Sequence, residues 1–336
     1  MKAYELRDGF GIDHVAVAER PDPRPGPGQI VVRMKAFSLN YRDLMVVKGL
    51  YNPKQRLPLV PLSDGAGTVE ALGEGVTRVK VGDRVAGIFM QTWLAGDVTE
   101  AMAKSALGGA IDGVLGQRVV FEEAGVVPVP EHLSDEEAAT LPCAAVTAWH
   151  ALVAEGGVRA GDTVLIQGTG GVSLFALQFA RLHGARVIIT SSSDAKLERA
   201  RQLGASDGIN YKSTMDWDRR ARELTGGLGV DHVVEVGGAN TLGQSLKAVR
   251  MSGRISLIGV LAGAGGQVNP LPALMKNIRI QGIFVGSRSM FEAMNRAIAL
   301  NGLHPVIDRV FGFEEVREAL RYMENAGHFG KICIRA

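Results

Sequence analysis

The sequence predicts an α/β protein built on a doubly wound parallel sheet, and three observations predict it. From residue 161 onward, short apolar runs alternate with amphipathic stretches of about ten residues, the rhythm of repeated strand–helix units. Glycine supplies 43 of the 336 residues, about 13% against a usual ~7%. Those glycines stand in turns between apolar runs, where tight strand–helix corners need them. The length suits two domains at ~150 residues each, and 46% hydrophobic residues are enough for a packed core.

Charge narrows the function classes. Lys and Arg number 37 against 35 Asp and Glu, a formal +2. The densest basic run, Arg219-Arg220-Ala221-Arg222, is answered by Asp216, Asp218 and Glu223. A dedicated binder of nucleic acid or of an anionic membrane needs a basic excess, so neither partner is expected. Two cysteines, Cys143 and Cys333, make neither a disulfide framework nor a four-thiolate zinc site. No apolar run reaches ~18 residues, and Met1–Arg7 lacks an apolar stretch, so no secretion signal is expected. A cytoplasmic, reducing location follows as the expectation.

The first ~125 residues read as β-rich. Gln29 to Ala36 ends in the apolar/basic alternation of a half-buried strand. Pro21 to Gly28 is a rigid connector, and Gly65–Gly73 and Gly82–Gly87 are short strands cut by glycine turns. Residues 91–118, rich in small side chains, are left unassigned. Ser134 caps a helix, with Glu137 as its capping-box partner. Six strands then follow: Thr163–Gln167, Val187–Thr190, Gly208–Tyr211, His232–Val236, Arg254–Gly259 and Ile278–Val285. Helices fall at Val172–His183, Ala195–Leu203, Trp217–Leu224 and Thr241–Val249. That alternation means a parallel, doubly wound sheet. The remainder holds a helix around Ala293, another over Phe313–Glu324 and a last strand Lys331–Arg335. It is expected to pack back on the β-rich N-terminal part, giving 1–128 completed by 286–336 around an inserted 129–285, with an active cleft between.

The strand Thr163–Gln167 runs into Gly168-Thr169-Gly170-Gly171-Val172-Ser173 and then a helix. This is the strand–turn–helix context a dinucleotide loop requires. The first glycine permits the tight turn, the second admits the pyrophosphate, and the helix N-terminus faces the phosphates. Ser173 takes the place of the third glycine. The Lys-Ser/Thr pair of a nucleotide-triphosphatase loop is missing. About 20 residues on, where NAD sites carry an acid, the second strand ends Thr190-Ser191-Ser192-Ser193. Ser191 and Ser192 offer donors and Lys196 a cation, which suits the 2′-phosphate of NADP(H). The same cluster also reads as a helix cap.

Together Val81–Val85, Leu141-Pro142-Cys143, Thr147-Ala148-Trp149, Gly168–Ser173, Leu203-Gly204-Ala205, Ile209-Asn210-Tyr211 and Gly330-Lys331 resemble the medium-chain dehydrogenase/reductase superfamily over nearly the whole chain. Within it the chain resembles the zinc-free quinone oxidoreductases (zeta-crystallin-like proteins) and the NAD(P)-dependent alcohol dehydrogenase-like proteins. The resemblance implies a Rossmann domain and a GroES-like catalytic domain. It implies Asn40 beside the nicotinamide and Tyr51 on the substrate cleft, with Tyr41 a second phenol. It also implies Thr147, Tyr211, Gly237, Gly259, Val260, Phe284, Val285 and Lys331 around the cofactor. Zinc members carry Cys, then Gly-His-Glu, then a third ligand. Here Asn40 and Ser63-Asp64 stand at the first two places, Cys143 falls near the third, and the structural-zinc cysteines are missing. One thiolate does not hold Zn²⁺, so no metal is expected.

Without a Lewis acid, oxidising an unactivated alcohol is hard and reducing an activated acceptor is easier. The leading expectation is NADPH-dependent hydride transfer to a quinone or an α,β-unsaturated carbonyl. Tyr51 or Tyr41 would polarise the carbonyl or donate a proton, with Asn40 beside the nicotinamide. Arg42 and Asp43 are expected to form a structural ion pair. Two alternatives stay open: an alcohol dehydrogenase or aldehyde–ketone reductase of the same fold, and an NADPH-binding structural or sensor protein. The strand 278–285, as the last of its sheet, should pair with its two-fold copy in a homodimer.

Overall fold

The structure, a computed structural model, describes every residue except Ala264. Two compact units divide the chain: Met1–Val146 with Val285–Ala336, and Thr147–Phe284.

The first unit opens with β1 (Lys2–Leu6) and β2 (Val15–Glu19), an antiparallel pair. Then come β3 (Gln29–Ser38), α1 (Tyr41–Val47), β4 (Asp64–Leu72) and β5 (Arg84–Gly87). Along β3 only Arg33 and Lys35 are exposed, the expected apolar/basic alternation. The segment left unassigned by sequence contains the single-turn α2 (Glu100–Ala103). β6 (Arg118–Glu122), β7 (Val126–Pro128) and α3 (Asp135–Ala139) follow. α3 starts as the sequence predicts: Ser134 Oγ accepts from Glu137 N (3.2 Å), and Glu137 returns a carboxylate oxygen to Ser134 N (2.8 Å). Because α3 packs on β3 and β4, the chain through Val146 belongs to this unit rather than only through residue 128. Two π-helical turns, Leu141–Ala145 and His150–Ala154, flank α4 (Val146–Trp149).

The second unit alternates strand and helix: β8 (Thr163–Ile166), α5 (Gly171–Leu182), β9 (Arg186–Ser191), α6 (Asp194–Gln202), β10 (Asp207–Asn210), α7 (Trp217–Leu224), β11 (Val230–Glu235), α8 (Ala239–Ala248), β12 (Val249–Leu257), α9 (Leu271–Met275) and β13 (Arg279–Gly282). All six strands run parallel in the order β10-β9-β8-β11-β12-β13. The order reverses beside β8, so β8 and β11 carry the switch point where open α/β sheets bind ligands. Val164, Leu165, Ile166, Val187, Ile188, Ile189, Val233 and Val234 are fully buried, each worth about 1.5–3 kcal/mol. The sixth strand is shorter than expected. It stops at Gly282, and Val285 takes φ +56°, a conformation a β-branched residue adopts only when its surroundings impose it.

After Val285 the chain rejoins the first unit through α10 (Arg288–Asn301), β14 (Ile307–Gly312), α11 (Val316–Glu324) and β15 (Lys331–Arg335). The seven-stranded sheet runs β14-β15-β3-β4-β5-β7, with β6 also on β3. β15 thus lies inside it, pairing Cys333 with Ser38, and the sequence gives no hint of its parallel neighbour β14.

Candidate active site

In the first unit, sheet register gathers one polar cluster. β3 and β4 pair Ser38 with Asp64, and β15 lies on the other side of Ser38, so Asn40, Ser63, Asp64 and Lys331 meet at one end of the sheet. Asn40 is the N-cap of α1, and its N–H donates to Asp43 Oδ2 (2.8 Å). Lys331, 3% exposed, donates from Nζ to Leu39 O (2.7 Å) and to Asn40 Oδ1 (2.6 Å). Two of the three donors of its ammonium are thus engaged within this unit. Asn40 Nδ2 faces Ser63 Oγ at 3.5 Å, and Ser63 Oγ donates to Asp64 Oδ1 (2.7 Å). Cys143 N, freed by the π-helical turn, donates to Asp64 Oδ2 (3.0 Å). A chain of hydrogen bonds thus runs from an ammonium through an amide and a hydroxyl to a carboxyl group.

These groups do not fit zinc. Both Asp64 oxygens already accept hydrogen bonds. Cys143 brings the cluster's one thiol, which burial, with Asp64 adding to it, pushes well above its ordinary range. Ser63 and Asn40 complete the set, short of the four ligands, or three and water, that zinc takes. Among the described residues no three His, Cys, Asp or Glu side chains gather elsewhere.

Burial also raises Asp64, against the lowering pull of Lys331. It pushes the fully buried Asp43 up to about 6, with Arg42 opposing. The expected Arg42–Asp43 pair is long, 3.9 Å, and Asp43 Oδ1 has no hydrogen-bond partner. Arg42 is committed elsewhere. It donates to Leu107 O (2.6 Å) and lies between the rings of Tyr51 and Phe89, 5.1 and 4.7 Å from their centroids. That stacking fixes Tyr51, whose ring is half-exposed like that of Tyr41.

In the second unit the glycine loop links β8 to α5. Gly168 has φ +72°, which favours glycine, and its N–H donates to Thr190 Oγ1 (3.3 Å). Gly170 is the N-cap of α5, and no side chain caps this helix. A Cβ on Gly170 would meet nothing within 4 Å, so there is room at the start of α5 for a phosphate to approach, as a dinucleotide needs. Ser173 has a use the sequence did not reveal: buried, it donates from Oγ to Gln167 O (2.7 Å) and ties the loop shut.

At the end of β9, Ser193 caps α6, accepting from Lys196 N (3.4 Å). Ser191 is buried and accepts from Ser193 N (3.4 Å). The nearby acid, Asp194, accepts from Asn210 Nδ2 (2.9 Å). Ser192 and Lys196 are half-buried and Tyr211 is exposed, its N–H on Ser191 O. The cap is thus Ser193, next to the donor set, and it leaves the side chains of Ser192 and Lys196 outside the capping bond. Thr147 and Val285 are buried, while Val260 and Phe284 are exposed. Gly259 is a glycine for an internal reason: its Cβ would lie 2.6 Å from Val236 O.

A parallel sheet of this strand order with a glycine loop at its switch point defines a dinucleotide-binding unit of the Rossmann type. Two family models match the chain: an alcohol dehydrogenase GroES-like domain over residues 26–131 and a zinc-binding dehydrogenase over 171–300. A zinc-type alcohol dehydrogenase-like protein of Schizosaccharomyces pombe is 46% identical, covering 99% of this chain and 98% of that protein. The crystal structure of a putative alcohol dehydrogenase from Sinorhizobium meliloti superposes with a TM-score of 0.93 at 47% identity, covering 100% and 99%. That of an NAD-dependent alcohol dehydrogenase gives 0.91 at 36%, covering 100% of each. More distant relatives include an acryloyl-coenzyme A reductase of Sulfurisphaera tokodaii (27% identical, 98% and 97% covered), a mycobacterial quinone oxidoreductase (26%, TM-score 0.82, 100% of each) and a crotonyl-CoA carboxylase/reductase in complex with NADP (25%, TM-score 0.86, 100% and 95%). The chain belongs to the medium-chain dehydrogenase/reductase superfamily, among its zinc-type alcohol dehydrogenase-like members, and is an oxidoreductase.

Proposed function

We propose that the protein is an NADPH-dependent reductase that passes hydride to a quinone or to the β-carbon of an α,β-unsaturated carbonyl, without zinc. The observation that carries this is the make-up of the Asn40–Ser63–Asp64–Cys143–Lys331 cluster. It offers hydrogen bonds and a balanced charge where zinc members carry ligands. Reduced nicotinamide, when bound, supplies the hydride. The N–H groups at the start of α5, from Gly170 onward, hold its pyrophosphate, and Ser191, Ser192, Lys196 and Tyr211 serve its 2′-phosphate. With Asn40 beside the nicotinamide, the phenol of Tyr41 or Tyr51 donates a hydrogen bond, and then the proton, to the acceptor oxygen, where negative charge builds as hydride arrives. The acryloyl-CoA reductase, the quinone oxidoreductase and the NADP complex among the relatives support acceptor and cofactor.

A panel of quinones, enones, aldehydes and alcohols, assayed with NADPH and with NADH before and after dialysis against a strong chelator, tests the reading. Quinone or enone reduction that survives dialysis is expected. Alcohol oxidation restored by zinc alone would sink it, and binding without turnover on any acceptor would favour a sensor role.

The working form proposed is a homodimer. β13 is the open edge of the six-stranded sheet, and all four of its residues are exposed. Pairing with a two-fold copy covers such an edge. Light scattering at micromolar concentration should give twice the chain mass, and Ile280→Lys should halve it; a monomeric parent ends the proposal. No helix among the described residues is long and apolar enough to cross a membrane, and the location proposed is cytoplasmic, which cell fractionation checks.

A further inference from the structure

The second unit buries a carboxylate that the proposed reaction does not use. Glu235, the last residue of β11, is fully buried, and five donors converge on it. Its Oε1 accepts from Thr241 Oγ1 (2.6 Å), Gly237 N (2.8 Å) and Gly238 N (3.0 Å). Its Oε2 accepts from Gln167 Nε2 (2.7 Å) and Ser245 Oγ (2.5 Å). Gln167 Oε1 accepts in turn from the N–H of Val236 and Gly237, both at 3.2 Å. Gln167 is also the residue whose carbonyl takes the Ser173 hydroxyl. One side-chain pair therefore joins three pieces: the residue leading into the phosphate loop, the Gly237–Gly238 turn, and the first turns of α8.

A buried charge is weak evidence of stability, since apolar residues of similar volume often do as well. Its placement says more. The strands β8 and β11 are direct neighbours, and their ends carry the two glycine turns at the switch point. An acceptor-only carboxylate holding both turns fixes their relative height, where two apolar side chains would let them slide. The same bonds take the Gly237 and Gly238 N–H groups away from any ligand, which leaves Gly237 only its carbonyl and Cα for the cofactor contact implied by the resemblance. Gly237 is a glycine for internal reasons, because a Cβ there would lie 2.3 Å from Thr241 Oγ1. We propose that Glu235 is a positioning residue of the dinucleotide site, acting through Gln167 to hold the Gly168–Gly171 N–H groups in place before the pyrophosphate arrives. The energetic gain is preorganisation, which spares the bound state the cost of ordering the loop. The proposal rests on the cofactor reading above.

The test titrates the full chain with NADPH and with NADH by nicotinamide fluorescence and follows thermal unfolding alongside. The parent, Glu235→Gln, and the swapped double variant Gln167→Glu with Glu235→Gln are compared. The single substitution sets one N–H donor against another. The dissociation constant for the preferred dinucleotide should rise about tenfold or more, the loss of one charge-assisted bond. The swap restores an acceptor facing an amide and should bring affinity back to within about threefold. If Glu235→Gln does not fold, Thr241→Val removes one bond of the five and should weaken binding by about two- to fivefold. A variant that melts earlier yet binds within about twofold of the parent would reduce Glu235 to a support of the fold. A swap that binds no better than the single substitution would overturn the route through Gln167. A parent that binds neither dinucleotide overturns the cofactor reading itself, and this inference with it.

Discussion

α5 and α8 start alike, each on a glycine turn at the end of a buried parallel strand, yet their N-termini are in opposite states. Below α8 the chain supplies its own anion: Glu235 takes the N–H groups of Gly237 and Gly238 and the hydroxyls of Thr241 and Ser245. Neither helix has a side chain bonded at its N-cap residue, but at α5 the turn's Gly168 N–H goes to a neutral hydroxyl, Thr190 Oγ1, and the space at Gly170 is open. Every helix leaves four N–H groups without partners at its start, and their positive end attracts an anion. The difference teaches that a glycine turn before a helix does not by itself name a binding site. What names it is whether the chain has already filled the turn from within.

The comparison breaks first at Gly170. Gly170→Asp would give α5 an internal anion like that of α8. The backbone there, φ −80°, accepts a side chain, and Asp caps helices a few tenths of a kcal/mol better than Gly. Unfolding temperature should hold, while dinucleotide affinity falls by at least about 1,000-fold, the several kcal/mol of a like-charge clash. Calorimetric titration at the parent's affinity would show that α5 is not the anion site.

Next come two buried titratable groups, which set pH against stability. Asp43, with Oδ1 unpartnered, is pushed by burial from 3.8 up to about 6. Its folded form holds the proton more tightly, so its contribution is full below pH ~3.8 and is lost as pH rises through ~6. His232, on β11 beside Ser256 Oγ (2.8 Å), is pushed by burial from 6.5 down to about 4. It runs the other way: its contribution is full above pH ~6.5 and is lost as pH falls through ~4. Each amounts to about 3 kcal/mol at most. Melting temperature against pH, parent minus variant, should therefore slope oppositely for Asp43→Asn and His232→Gln between pH 4 and 6.5. Slopes of one sign would refute the assignment.

Ser191→Asp sharpens the comparison at the far end of the cofactor, by adding an anion where the 2′-phosphate is proposed. The NADPH-to-NADH ratio of kcat/KM should fall by about 10–100-fold, or ~1.5–3 kcal/mol. A parent that already uses both dinucleotides equally at low salt leaves the serine cluster a helix cap and nothing more. The smallest effect belongs to Ser173→Ala. It unties the loop from Gln167 and should cost about 1 kcal/mol in urea unfolding, with dinucleotide binding weakened a few-fold. No change in either would mean that the loop holds its shape without that bond.

Most of the second unit was legible in the sequence because a strand buried on both faces announces itself as an uninterrupted Val/Ile/Leu run. Its glycine turns mark where each run stops. β14 was not, because Ile307–Gly312 is half-exposed and shows no alternation. The phosphate loop was legible as a spacing; the Ser173 tie was not, since a hydroxyl reaching back to Gln167 O requires the turn to be folded first. Glu235 left a usable signal that went unread. A carboxylate inside the apolar run His232–Val236, with two glycines after it, must find donors close by. In the first unit, Asn40, Ser63 and Cys143 were legible as replacements for ligands. Their linkage through Lys331 was not, because it comes from the pairing of β3 with a strand almost 300 residues later.

That pairing has a consequence for how the molecule is made. Translation adds ~5–20 residues per second, so some 15–60 s separate Ser38 from Lys331, and the whole stretch Thr147–Phe284 is finished in the interval. Throughout it the Ala36–Ser38 end of β3 lacks one of its two neighbours, β15, and Asn40 lacks the ammonium that fixes its amide. A strand edge left bare that long invites pairing with another nascent copy. The polar cluster thus closes only after the whole of Thr147–Phe284 has been made, and until then that edge is the one exposed to misassembly.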